Sequence, residues 1–330
     1  MKHNIPIMDG ALANEATAFI EEKQRIGCEY YSNSYLVREF SRYAENHPEY
    51  TKSNSIVTKQ MVEEWVRHKT WLSLESIKHR ATVIRQFAIF LDRNGYCAYV
   101  LPELSMPKPK NNFTPYIFTE NQLSKIFQAA DKVPFSSVSP FRHLTIPLIF
   151  RLIYGCGLRL SEATGLRIGE VDIENGILSI KNTKFGKNRN IPMSNSLCIR
   201  CKHYHENVHM NCTDNDFFFP NFRKDSYASS TIYTAFRRLL KECDIKRVEH
   251  GPRVHDLRHT YAVHTLKKWA EKGYDLNSAL PLLSTYMGHN GISGTQRYLR
   301  LTADLYPHIV NIMDTEYGCI FEKENINDAE

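Results

Sequence analysis

Four separated segments of this 330-residue chain carry side chains suited to chemistry on a charged substrate. They are GCGLRLSEATGL (residues 155–166), NTKFGKNR (182–189), HDLRH (255–259) and LSTYMGHNGISGTQRYLRL (283–301). In order they supply Arg159, Lys184, His255 with Arg258, and His289 with Tyr298. Guanidinium forks grip phosphate oxygens two at a time. A phosphodiester under attack gathers charge on its non-bridging oxygens, where fixed cations can take the place of a magnesium ion. A phenol, with a free pKa of about 10, becomes a serviceable nucleophile once a neighbour accepts its proton. A lysine could protonate a leaving 5′ oxygen, and a histidine could share the proton traffic. Covalent attack by tyrosine would store the energy of the broken bond, so strands could be rejoined without ATP.

Those side chains need elements that bring them together. His255 and Arg258 are three apart, so one helical turn shows both on the same face. His289 precedes Tyr298 by nine residues with glycines between, so the two share a site only if the chain turns back. Helical patterns run over 120–130, 141–154, 230–243, 256–270, 279–288 and 303–313. Between the second and third of these the period changes. Short strands are expected at 171–173, 177–181 and 190–193, the first two joined at Asn175-Gly176, a strong hairpin dipeptide. Lys184, Lys187 and Arg189 lie in the turn before the last strand. The expected fold is mainly α with a small three-stranded antiparallel sheet.

The N-terminal part reads as four or so short helices. Ile77, Ala81, Ile84, Ala88 and Leu91 form one apolar stripe behind Ser73 as N-cap, with Gly95 as the stop. Thr58 opens a shorter helix, and the segments 12–20 and 36–44 share the amphipathic character. Arg67, His68, Lys69, Lys78, Arg80 and Arg85 occupy polar positions that suit either solvent or phosphate. The linker LPELSMPKPKNNFTP (101–115) carries Pro102, Pro107, Pro109 and Pro115, which oppose helix. Two domains follow, 1–111 and 112–330, both mildly basic.

Forty-two Lys and Arg against 36 Asp and Glu give a charge of +6, and 42% of residues are hydrophobic. That mixture excludes a disordered or fibrous chain and permits a polyanionic partner without demanding one. No apolar run approaches the roughly 20 residues of a membrane helix, and the N-terminus lacks a signal-like apolar core. A cytoplasmic protein with eight cysteines as thiols is expected.

GLRLSE, a Lys-bearing hairpin about 25 residues later, HDLRH, and MGH nine residues before a Tyr together resemble the tyrosine recombinase (phage integrase) family, of the mobile-element type. The close match runs from about Gly155 to Thr302; the N-terminal part matches the DNA-gripping domain in size, helix content and placement. The resemblance implies two domains closing on duplex DNA as a clamp. Arg159 and Arg258 would hold the scissile phosphate, and Lys184 would be the general acid, with Lys187 on the same turn as its rival. His255 would be the general acid/base, His289 would hydrogen-bond the phosphate, and Tyr298 would attack it to give a 3′-phosphotyrosine. Glu162 would orient its neighbours. It further implies no cofactor or metal, a homotetramer on paired sites, a last helix (303–313) that docks on a neighbouring protomer or on its own domain, and a place for accessory DNA-bending factors. A type IB topoisomerase-like enzyme and a non-catalytic DNA-binding protein are the alternatives.

Other features have readings of their own. His259 and His264 read as structural hydrogen bonders. Arg237 and Arg238 could reach DNA or be solvated. Cys198, Cys201, His209 and Cys212 offer four possible zinc ligands, with His203 and His205 nearby. Against zinc, Leu197, Cys201, Tyr204 and Val208 fall on one helical stripe, which makes Cys201 a small core residue.

Overall fold

In the computed structural model, residues 5–48, 56–67, 71–103, 114–181, 188–246, 248, 251–289, 291 and 293–306 are described. The chain divides into two compact units, Met1–Asn112 and Phe113–Glu330. Most of the proline-rich linker, 104–113, lies outside the described residues.

In the first unit, α1 (Ala13–Arg25), α2 (Tyr31–Asn46) and α3 (Lys59–Arg67) pack against α4 (Leu74–Arg93). Ser73 caps α4 as its position predicts, its hydroxyl accepting the Ser76 N–H at 3.2 Å. The α4 stripe buries Ala81, Ile84 and Leu91 in one core with Phe19, Phe40 and Trp65, and Ala88 on the same stripe is buried as well. Each fully buried large apolar side chain contributes about 1.5–3 kcal/mol relative to exposure. Arg80 does not sit on a solvated face. Its guanidinium lies 3.6 Å from the Trp65 ring centroid and bonds Glu39 at 3.1 Å and the Trp65 carbonyl at 3.1 Å. Arg80 is therefore spent inside the domain; His68 and Lys69 lie outside the described residues.

The second unit is built on α6 (Arg142–Gly155), whose Ile146, Leu148, Ile149, Phe150, Leu152 and Ile153 are all buried. Around it pack α5 (Glu120–Asp131), α7 (Leu160–Gly165), α8 (Asn195–Val208) and α10 (Val254–Glu271), while α9 (Ser229–Glu242) packs on α5 and α7. The helices α11 (Leu276–Met287) and α12 (Ser293–Leu305) pack on α10. Together those three enclose a second core of Val263, Leu266, Leu280, Leu283 and Met287, and Tyr298 belongs to it.

One small antiparallel sheet interrupts the helices, in the order β1 (Val171–Asp172), β2 (Ile177–Ile180), β3 (Arg189–Pro192). The β1–β2 connection is longer than the expected two-residue turn. Asp172 pairs with Ile177, so residues 173–176 form a four-residue loop, tied by the Asp172 carboxylate to the Asn175 N–H at 2.9 Å. Gly176 closes it at φ +66°, the conformation for which glycine is suited. The third strand starts at Arg189, one residue earlier than the sequence pattern indicates, and Arg189 pairs with Ile180. The fold is thus mainly α with a small three-stranded antiparallel sheet, and no described helix is long and apolar enough to cross a membrane.

One further expectation shifts. The last described helix starts at Ser293 rather than 303, so Tyr298 stands on a helix and not at the end of a loop. Gly294 read as loop, but in a first helical turn the N–H groups lack intrahelical partners anyway and glycine costs little. Residues 307–313 of the expected helix lie outside the described residues. In α8, Leu197, Cys201, Tyr204 and Val208 are buried as one stripe. His209 bonds the Phe218 carbonyl at 2.8 Å, and Cys212 is exposed. Among the described residues no three His, Cys, Asp or Glu side chains gather as a metal site.

Candidate active site

The site assembles on the C-terminal end of α11. A helix leaves its last carbonyls without intrahelical partners, and they carry the negative end of the dipole. Here three successive carbonyls each accept from a different arginine. Tyr286 O takes Arg189 Nε at 2.8 Å, Met287 O takes Arg258 Nη2 at 2.5 Å, and Gly288 O takes Arg159 Nη2 at 2.6 Å. Gly288 turns the chain at φ +65°, and a Cβ there would stand 2.7 Å from Arg189 Nη1. Glycine is required both by the turn and by the packed guanidinium.

Glu162 locks these cations together. Arg159 immediately precedes α7, and Glu162, three residues on, accepts the Arg159 backbone N–H at 2.8 Å and its Nη1 at 2.7 Å. Arg189 donates to both carboxylate oxygens, at 3.0 and 2.8 Å, and Arg258 Nη1 stands 3.8 Å away. Arg258 Nη1 also donates to the Gly157 carbonyl at 2.7 Å. Burial alone would raise the Glu162 pKa; Arg189 and Arg159 overcome that and hold it at about 2. Burial, then repulsion from Arg159, lowers Arg258 to about 10. Both stay charged at neutral pH.

Replacing Glu162 by Gln should therefore strand buried guanidinium charge and cost roughly 3–5 kcal/mol at pH 7. The sign follows from linkage. The carboxylate's pKa is depressed from 4.5 to about 2, so its stabilisation is complete above 4.5 and lost as pH falls toward 2. Urea unfolding should show a wild-type advantage that shrinks over that interval; matching midpoints at pH 7 would contradict the arrangement.

Three imidazoles lie near these cations. His255 and His259 stand one turn apart on α10, rings edge to face with centroids 4.6 Å apart. His289 follows Gly288, its ring stacked on Tyr298 with centroids 6.1 Å apart, and its Nδ1 lies 2.7 Å from Thr295 Oγ1. Burial and the surrounding guanidiniums, Arg258 foremost, lower His255 and His289 to about 4, although His255 keeps an exposed edge. Both are neutral at pH 7. Tyr298 is 1% exposed. Burial raises its phenol above the ordinary value, opposed by Arg258, Arg297 and Arg159.

Five of the six side chains singled out from sequence thus meet in one region: Arg159, His255, Arg258, His289 and Tyr298. Lys184 lies outside the described residues, in the segment joining β2 to β3. Sequence reasoning missed Arg189, which it counted only as one cation of a turn, and underrated His259, whose Nδ1 lies 2.7 Å from Tyr298 Oη. The repeat of His at four-residue spacing in HDLRH was the signal for His259. For Arg189 there was none, because its partners stand 27 and 97 residues away in sequence. Beside His255, a cavity of about 1020 Å³ between α9 and the start of α10 includes Arg237, Lys241, Lys246 and Arg253 in its lining.

A mainly helical unit that carries a small three-stranded sheet, with arginines and a phenol gathered at one helix end, is in keeping with the tyrosine recombinase class, enzymes that cut and rejoin DNA strands. The chain belongs to the phage integrase family, whose sequence pattern matches residues 117–304, more than half its length. It is 28% identical over 255 residues to the putative integrase/recombinase y4rB of Sinorhizobium fredii, covering 76% of this chain and 81% of that one. Tyrosine recombinase XerC of Oceanobacillus iheyensis is 27% identical over 245 residues, 71% of this chain and 72% of its own. The crystal structure of XerH site-specific recombinase bound to difH substrate shares the fold at TM-score 0.63 and 18% identity, over 87% of this chain and 81% of that one.

Proposed function

We propose that the protein is a site-specific recombinase of a mobile element that cuts and rejoins duplex DNA through a 3′-phosphotyrosine, without metal or ATP. The observation that carries this reading is the row of helix-end carbonyls, which sets Arg159 and Arg258 side by side and leads directly into His289, stacked on Tyr298. The two guanidiniums bind the non-bridging oxygens and stabilise their charge in the transition state. His289, neutral and fixed by Thr295, donates to a phosphate oxygen. Tyr298 Oη attacks phosphorus, the P–O5′ bond breaks, and the 5′ oxygen takes a proton from Lys184. His255, open to solvent, serves as general acid/base for proton exchange. Arg237 and Lys241, in the cavity beside His255, meet the phosphate backbone. Four protomers on two paired sites exchange strands in sequence, in the cytoplasm, with accessory DNA-bending proteins as further partners.

The test is incubation in EDTA with nicked duplexes drawn from the DNA flanking the gene, and with a supercoiled plasmid carrying two copies of that DNA. A detergent-stable adduct with a free 5′-hydroxyl, and exchanged plasmid products, are expected. Relaxation without exchange would instead identify a type IB topoisomerase-like enzyme. Binding with no adduct would identify a non-catalytic DNA-binding protein.

A further inference from the structure

The tyrosine hydroxyl already has a partner, and it is not one of the six residues given a role above. His259 Nδ1 lies 2.7 Å from Tyr298 Oη, within a hydrogen bond of the atom that must lose its proton. His259 is 4% exposed and Tyr298 1%, so no bulk water competes for that proton. The imidazole stands on the fully packed face of α10, one turn beyond His255, whose ring meets it edge to face. Thr302 Oγ1 donates to the Tyr298 carbonyl at 2.8 Å, so the helix that carries the phenol is tied locally as well. Arg258, Arg159 and Arg189 are hydrogen-bonded cations with no lone pair to offer, and His289 presents its ring to Tyr298 in a stacked geometry with its Nδ1 engaged by Thr295.

We infer that His259 is a further catalytic residue, the group that accepts the Tyr298 proton as Oη attacks the phosphate and returns it when the strands are rejoined. This rests on the recombinase reading above. In cleavage, an Oη lone pair forms the bond to phosphorus, and the O–H proton passes to the Nδ1 lone pair. The P–O5′ pair leaves with the 5′ oxygen, which is protonated by the general acid. In rejoining, the 5′ hydroxyl attacks the phosphotyrosine and gives its proton back to the deprotonated general acid, while the departing phenolate recovers its proton from the His259 imidazolium. The required tautomer carries hydrogen on Nε2 and a lone pair on Nδ1. Burial, with His255, Arg297, Arg253 and Arg258, lowers the His259 pKa to about 2, which keeps the ring neutral and the lone pair free in the DNA-free protein. A phosphodiester brought among the arginines offsets their positive field and makes the imidazolium accessible during the step.

His259→Asn separates proton acceptance from positioning, because the amide can take the same hydrogen bond as Nδ1 yet cannot carry the proton. Single-turnover adduct formation on a nicked duplex should fall by about 10²–10⁴-fold. Its rate should rise steeply with pH between 7 and 9, as hydroxide replaces the lost base, with DNA affinity unchanged. A wild-type rate and pH profile would overturn the proposal and leave His259 as a positioning residue. Independently of any variant, ¹⁵N shifts of the wild-type ring should report the Nε2–H tautomer; an Nδ1–H tautomer would overturn it as well. Wild-type protein and Tyr298→Phe run alongside: if wild type forms no adduct, or Tyr298→Phe forms one, the recombinase reading itself has failed, whatever His259 does.

Discussion

Tyr298→Phe protein should form no covalent adduct with DNA while binding duplex as tightly as wild type. The change removes one oxygen and keeps the ring, so the stack on His289 and the packing among Leu266, Leu283 and Met287 survive. What is lost is the hydrogen bond to His259 Nδ1, leaving one buried nitrogen without that partner. Such a loss costs about 1–3 kcal/mol, too little to unfold a domain of this size. On the proposed reading the phosphate contacts come from Arg159 and Arg258, which the substitution does not touch. A denaturing gel for the adduct and a mobility-shift titration for affinity check both halves. An adduct of undiminished yield would mean that another residue attacks.

The second large effect is expected at Arg258. Its side chain is 1% exposed and held at two points, Nη1 on the Gly157 carbonyl and Nη2 on the Met287 carbonyl. Those anchors fix the plane of the guanidinium, and on the proposed reading its remaining N–H groups meet the phosphate. A lysine keeps the charge but is a single flexible ammonium, unable to satisfy two carbonyls and a phosphate in one fixed geometry. Arg258→Lys should lower single-turnover cleavage by about 10²–10³-fold, the usual result of removing one preorganised donor. Affinity for DNA, spread over many phosphate contacts, should change by less than about tenfold. Cleavage within a few-fold of wild type would show that charge alone suffices and that the two-carbonyl anchor is irrelevant.

How much of this was legible beforehand depends on sequence distance. Local periodicity exposed the α4 stripe, the Ser73 cap and the face shared by His255 and Arg258, since each is settled within a turn or two of helix. Spacing says nothing about which side chains meet across 29 to 129 residues, which is how Arg258 reaches Met287 and Arg159 reaches Gly288. Arg80 shows the opposite failure. Its polar position suggested solvent or phosphate, but an aromatic ring and a carboxylate from other helices capture it. Arg189 and His259 were on view as ordinary residues of their segments. Their importance lies in partners, Glu162 and Tyr298, that only the folded chain supplies.

The central claim is that one phenol attacks a phosphodiester and keeps its 3′ end. Protease digestion of the DNA adduct, followed by tandem mass spectrometry of the nucleotide-bearing peptide, tests it most directly. The account predicts a nucleotide joined through its 3′-phosphate to Tyr298 and nowhere else. A linkage to any other residue, or through a 5′-phosphate, would contradict it.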